Sequence, residues 1–351
     1  MGTAPQTRRR IGYHRWLIIL VIVLSVLAAR AFAPVTPHIQ VPAEPLTGEV
    51  VLPVLGPFRL TNTMVATLLA DVVLIGLALA VRRSLSRAKG RSDAMLGGLA
   101  GVMEAIVEPL HRLVETTAGR MARTAFPWVA TIVLMVLVVN WMELFPGVDS
   151  IGVVHEAHAG TPAYEVRELT RLGSLPVVAI TAKQESESEG EAGLGFVPFV
   201  RVASTDLNFT LALALAAVVM SQVVGLRAAG PGYLKKFFNF GGLAKMLFQP
   251  TLGPFGLLTP LVNIFVGVLE LVAEFAKIIS FSFRLFGNVF AGSVLLFVIG
   301  SLVPVMVQSG FLILEMFVGL VQALVFGILT LVFMTMAAAS HDAQGQKHDT
   351  A

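Results

Sequence analysis

From Phe255 to Ala337 the chain is apolar almost without break, and this feature limits the folds open to it more than any other. The hydrocarbon core of a bilayer is about 30 Å thick and is crossed by about 20 helical residues. The stretch is too long for one crossing, so two helices are expected, joined near Ser301 to Gly310. Within it stand residues that hydrocarbon penalises: Asn263, Glu270, Glu274, Lys277, Arg284 and Asn288. At 100° per residue, with Glu270 as zero, they fall at about 20, 0, 40, −20, −40 and 0 degrees, so all six share one helical face. A continuous helix from Asn263 to Asn288 would be roughly 39 Å long, longer than the core is thick, and must tilt strongly or bend.

The rest of the chain agrees with a bilayer as solvent. Of 351 residues, 56% are apolar and 13% charged, against about 25% charged in soluble domains. The predicted fold is all-α: a polytopic membrane protein of five or six membrane helices. Residues 1–57 hold a basic head, an apolar run from Trp16 to Ala29 that reads as a retained helix or a cleavable signal peptide, and an exported Pro-rich loop without regular structure. The membrane domain spans 58–340, with spans near Thr61–Val81, Phe126–Leu144 and Leu207–Leu226, an external polar loop at 147–205 that is expected to be partly flexible, and the helix pair at 255–337. Residues 341–351 form a cytoplasmic tail. From Met95 to Ala118 apolar residues recur at helical spacing among Glu104, Glu108, Arg112 and Glu115, which predicts an interfacial amphipathic helix kinked at Pro109. Seventeen Lys and Arg fall on the inner side of this topology and six on the outer, which places both termini inside if the first helix is retained. The basic residues flank apolar runs without an interleaved aromatic stripe, so they mark topology and not nucleic acid.

An arginine at mid-bilayer costs about 2.5 to 3.5 kcal/mol on insertion scales, so it needs a partner or an aqueous cavity. Glu315 and Gln322, two turns apart on the last helix with Gly319 between them, share a face that a helix hairpin could bring toward Arg284 and Asn288. The bland alternative is an ion pair of Arg284 with Glu270 or Glu274. Against it, acids outnumber bases on this hairpin, and surplus carboxylates in a membrane line ion paths.

The string Ser280-Phe281-Ser282-Phe283-Arg284-Leu285-Phe286-Gly287-Asn288 resembles the signature of the F-type ATP synthase subunit a family, in which an arginine precedes Leu-Phe-Gly-Asn. Ser204-Thr205-Asp206-Leu207-Asn208-Phe209-Thr210, Gly232-Tyr233-Leu234-Lys235 and the segment from Gln322 to Thr330 also resemble family segments, in the family's order. Weaker resemblance begins near Thr61-Asn62-Thr63, for coverage of roughly Phe58 to Ser340.

The resemblance implies a stator that forms two offset half-channels against a rotating c-ring of proteolipid subunits, with peripheral-stalk b subunits and the rest of the ATP synthase complex as partners. Arg284 would separate the channels and lower the pKa of a passing ring carboxylate, by about 1 to 3 for a neighbouring arginine. By position Glu270, Ser280, Asn288 and Gln322 carry over as polar neighbours of the arginine or its channel, and Glu143 and Asp206 as acids near the outer ends of two helices. Glu274, Lys277, Asn263 and Asn208 are further lining candidates. In many members an acid follows the arginine by nine residues and a histidine precedes the glutamine by seven. Ser293 and Glu315 stand there instead, so Glu315 is the candidate outer-channel carboxylate. The family implies a bacterial inner membrane and transport of H⁺ or Na⁺, and no catalytic site of its own.

With no cysteine, thiolate chemistry is excluded. His155, Glu156 and His158 could suggest a metal, but two histidines in a loop without further ligands are more often solvated, so no metal and no cofactor are expected. Asp71 lies within the second span as a channel or packing contact. The competing function is a stand-alone ion channel or transporter built on the same hairpin; a membrane scaffold would leave the one-sided row of charges unexplained.

Overall fold

A computed structural model describes residues 13–31, 43–46, 50–52, 56–88, 98–145, 148, 151–156, 164–172, 175–183, 194–237, 258–302 and 306–339. The chain divides into two compact units.

The larger unit, residues 41–151, 199–290 and 318–351, is a helical bundle. It opens on a small antiparallel pair, β1 (Val50–Leu52) and β2 (Gly56–Phe58), in the stretch expected to lack regular structure. Then come α2 (Asn62–Ala88), α3 (Leu99–Ala118) and α4 (Ala122–Met142). A 3₁₀ turn at Ala203–Thr205 leads into α5 (Leu207–Ala229), and a second, Gly230–Lys236, follows it. Most of α6 (Leu258–Leu302) and of α7 (Met306–Ala339) completes the unit. Among the described residues five helical stretches are long and apolar enough to cross a membrane, and Arg15–Leu27, within α1 (Tyr13–Ala31), is a shorter apolar helix. The 45 residues of α6 amount to about 67 Å at 1.5 Å per residue, more than twice the hydrocarbon thickness.

Amphipathic patterning places α3. Leu110 and Val114 are buried, while Glu108–Arg112 and His111–Glu115 pair on its exposed face at 2.5 and 3.8 Å. The helix runs on through Pro109 and ends at Gly119, whose φ of 52° suits glycine. The core is made of facing stripes: Val129, Val133 and Val136 of α4, Ala214 and Val218 of α5, Phe281, Leu285 and Val289 of α6, and Ala323, Phe326 and Met334 of α7. Phe281 stacks on Phe326 with ring centroids 4.9 Å apart. Small residues let the helices close on one another, because a hydrophobic driving force between helices is absent in lipid. At Gly327 an added Cβ would collide with Val133. Outward-facing Leu68, Val72 and Ile75 of α2 and Val272, Phe275 and Ile279 of α6 are exposed, as a lipid-facing surface requires.

The smaller unit, residues 1–40, 152–198 and 291–317, holds α1, the end of α6, the start of α7 and a four-stranded sheet. Its strands β3 (Gly152–Glu156), β4 (Tyr164–Leu172), β5 (Leu175–Lys183) and β6 (Leu194–Pro198) lie in the order β3-β6-β4-β5, with antiparallel neighbours. Among its described residues the expected flexible loop therefore holds a four-stranded sheet. Val166, Thr170, Val177, Val178 and Ile180 supply β-branched residues that favour strands, and β4 pairs with β5 from Leu172↔Leu175 outward across a two-residue Gly-Ser connection of hairpin length.

Candidate functional site

The row of ionisable residues on α6 runs between two unlike faces. Phe281, Leu285 and Val289 point into the core, whereas Ala276, Ser280, Phe283, Arg284 and Gly287 are exposed. On the helical wheel Arg284 stands roughly 100° from the centre of the core stripe, at the exposed edge of the row. Its guanidinium lies 6.0 Å from the Phe281 ring centroid, the outer limit of a cation–π contact. Among the described residues it makes no ion pair and no side-chain hydrogen bond. The acids of α6 are taken up elsewhere, so among the described residues the simple ion pair of Arg284 with Glu270 or Glu274 is not formed.

Glu270 and Glu274 instead meet a lysine from the segment after α5. Lys236 Nζ is ion-paired with Glu270 and lies 3.7 Å from Glu274. Lys277 Nζ donates to Glu274 Oε1 at 2.8 Å and sits 4.9 Å over the Phe333 ring centroid. Two carboxylates thus face two ammonium groups. Close approach of backbone to helix makes the arrangement possible: a Cβ on Gly267, one turn before Glu270, would collide with the Phe237 carbonyl. Tyr233 anchors the same segment, its hydroxyl donating to Gln222 Oε1 at 2.6 Å and its ring lying where a Cβ on Gly225 would come within 2.8 Å. Burial works against the charge of Lys236, but the hydrogen bond to Glu270 and the charges of Tyr233, Glu270 and Glu274 outweigh it and push its pKa above the ordinary 10.5.

A second polar group gathers at the opposite end of α5. Buried Asp206 caps that helix, accepting from the Asn208 backbone N–H at 2.9 Å and from Thr63 Oγ1 at 2.8 Å. Ser204 Oγ donates to Asn140 Oδ1 at 2.9 Å. One turn into α5, the hydroxyls of Thr210 and Ser282 share a hydrogen bond of 3.0 Å, both residues fully buried, and Ser282 is two residues from Arg284. The two groups are separated by most of α5, whose 23 residues span about 35 Å. Among the described residues, buried Asn140 Nδ2, Glu274 Oε2 and Gln322 Nε2 find no hydrogen-bond partner, an unusual condition that calls for water or for a functional explanation.

In the smaller unit the carboxylate of half-buried Glu315 lies against Gly292, where a Cβ would collide with it, next to buried Ser293. The acid from α7 therefore reaches the stretch of α6 where Ser293 supplies none. Glu143 is half-buried just beyond α4, Asn208 has an exposed side chain, and Asn263, Ser280 and Asn288 make no side-chain hydrogen bond among the described residues. Asp71 is exposed on α2, and His158 lies outside the described residues; among those described no cluster of three metal-ligating side chains occurs. Sequence reasoning passed over Lys236, Gln222, Thr63, Asn140 and Ser282 as site residues. The sequence signal for Lys236 is its place directly after the family-like Gly232-Tyr233-Leu234-Lys235 segment.

Comparison with known proteins bears on this arrangement. A family model described as ATP synthase A chain matches residues 63–335. An ATP synthase subunit a of Mycobacterium ulcerans is 28% identical over 281 residues, covering 79% of this chain and 86% of the relative. One from Gloeobacter violaceus is 29% identical over 290 residues, 82% of this chain and 88% of the relative. One from Myxococcus xanthus is 36% identical over 173 residues, 45% and 52% of the two chains.

Proposed function

Because the chain belongs to the ATP synthase A chain family, we propose that it is the stator of the ion turbine, forming two half-channels against a rotating c-ring with Arg284 between them. Membership makes it a subunit of the membrane sector, with the rest of the ATP synthase complex as its partner.

One observation carries the proposal: Arg284 is exposed on an apolar helix and has no anionic partner among the described residues of its own chain. A cation left so in hydrocarbon is costly, and a carboxylate brought by another polypeptide relieves the cost. Exposed Ala276, Ser280 and Gly287 flank it and leave room for a partner helix to come close. A ring carboxylate passing Arg284 favours its ionised form and gives up its proton. A guanidinium keeps its own proton at any working pH, so it cannot relay protons from one channel to the other.

The polar groups at either end of α5 are the candidate channel walls. Asp206, Thr63, Asn140 and Ser204, with Glu143 and Asn208, form the outer group, and Glu315, beside Ser293 in the smaller unit, is the candidate outer-channel carboxylate. Glu270, Glu274 and Lys277, joined by Lys236, form the inner group, with Gln322 and Asn288 lining the approach to Arg284. Peripheral-stalk b subunits, a bacterial inner membrane, an inside N-terminus if the first helix is retained, and the absence of a catalytic site of its own follow from the same reading. The ion is H⁺ or Na⁺, a choice made by the ring's binding site.

The test is ATP-driven ion pumping by the reconstituted complex. Arg284→Ala is expected to abolish it even in the complexes that do assemble; coupled pumping at the wild-type rate rejects the role. A stand-alone channel would purify without a c-type proteolipid.

A further inference from the structure

Away from the ion path, α2, α3 and α4 line a half-open groove of about 790 Å³ that the turbine mechanism does not use. One wall is a continuous stripe of α2, Leu74, Leu77, Val81 and Leu85, and the other is Met103 and Val107 of α3, with Leu134 as the floor. Arg82 and Ser86 stand at the C-terminal end of the α2 stripe. They also line a second cavity of about 240 Å³ together with Leu79 and Arg83. An apolar groove thus adjoins a small chamber bearing two arginines.

We propose that this pair of cavities binds one anionic phospholipid, with acyl chain in the groove and phosphate on Arg82, Arg83 and Ser86. Length supports a lipid: from Leu74 to Leu85 the groove follows about 16 Å of helix, close to the roughly 15 Å of one leaflet's hydrocarbon.

Charge selects the headgroup. Arg82 and Arg83 are exposed and make no ion pair among the described residues. Glu104 also lines the groove without pairing with Arg82, which leaves the two arginines in excess of one carboxylate. Basic pockets at the inner ends of transmembrane helices favour anionic lipid headgroups, and the run of Arg82, Arg83 and Arg87 ends α2 on the side that the distribution of basic residues assigns to the interior.

The experiment uses the intact complex, stripped in lipid-free detergent, incubated with vesicles of phosphatidylglycerol or of phosphatidylcholine, and read by native mass spectrometry of the released chain. Wild type is expected to retain one phosphatidylglycerol and far less phosphatidylcholine. Each arginine near a charged headgroup contributes roughly fivefold, so Arg82→Gln with Arg83→Gln lowers retention about 25-fold. Ala78→Trp, which fills the groove and leaves the arginines, abolishes retention of either lipid. Equal retention of the two lipids, or unchanged retention in both variants, overturns the proposal. So does a photoreactive group at position 78 that captures a protein subunit in place of lipid.

Discussion

Lys236 meets two carboxylates while Arg284 meets none among the described residues, and the difference follows from where the helix turns each neighbourhood. Glu270 and Glu274 lie on the flank of α6 that the Tyr233-anchored segment covers, so their charges are balanced inside the chain. Lys236→Met leaves Lys277 alone against two acids. The Lys236–Glu270 pair is about one-third exposed at each partner, so solvent screening limits the loss to about 1 to 2 kcal/mol of stability; thermal unfolding of the purified complex measures it, and Lys236→Arg should restore most of it. The pKa of Lys236 is raised on folding, so its stabilisation is complete below 10.5 and vanishes only as pH climbs through the higher folded-state value. The gap between wild type and Lys236→Met should therefore hold constant through the neutral range and close in alkali; a gap that closes on acidification through neutrality would contradict the assignment. In the smaller unit, Glu315 is the titratable side chain of the Gly292, Ser293 and Glu315 contact. Glu315→Gln is expected to slow proton uptake by roughly 10²-fold, the lower range for loss of an acid–base group, and Ser293→Ala far less. Equal pumping by the two variants would remove Glu315 from the relay.

At the scale of elements, helix packing depends on a few small residues that a periodicity argument cannot weigh. Gly327 of α7 receives Val133 of α4 with no room for a methyl group. Gly327→Ala should therefore cost about 1 to 3 kcal/mol by overpacking, and Val133→Ala in the same chain should recover most of the loss. Additive destabilisation in the double variant, measured by thermal melting, would show that the two positions do not share this contact. The helices themselves were legible because a 20-residue apolar run can satisfy its backbone in lipid only as a helix. Hence α2, α4, α5 and the α6/α7 pair could be read from hydropathy, and α3 from its period. The four-stranded sheet was not read, since the charges and serines around Glu185 to Glu191 outweighed the β-branched runs either side of Gly173-Ser174. Among site residues, Glu270, Glu274 and Lys277 could be placed together by 3.6-residue spacing. The wheel also put Arg284 with them, but could not tell that the row straddles a boundary between core and surface, with the guanidinium on the outer edge. Nor could it supply Lys236, Thr63 or Asn140, whose contacts bridge 34, 143 and 64 positions in sequence and are set by tertiary packing alone.

For the molecule as a whole, an exposed arginine on an apolar helix makes the chain incomplete in a way that has a measurable sign. In a bilayer without c subunits, Arg284 must be served by snorkelling or by water drawn into the membrane, at about 2.5 to 3.5 kcal/mol on insertion scales. Replacing it with leucine removes that penalty, so Arg284→Leu expressed without ring subunits should outlast wild type in the membrane, by up to about tenfold in half-life if a third to a half of the penalty is expressed as resistance to unfolding. With the ring present the sign reverses. Wild type then gains a charge pair with a partner carboxylate that leucine cannot form, and the variant should assemble less completely as well as fail to pump. Pulse-chase measurement of the chain in both backgrounds separates the possibilities. A variant less stable than wild type in both would mean that Arg284 is paired within its own chain, and the exposed edge of α6 would then have to face something other than a rotating carboxylate.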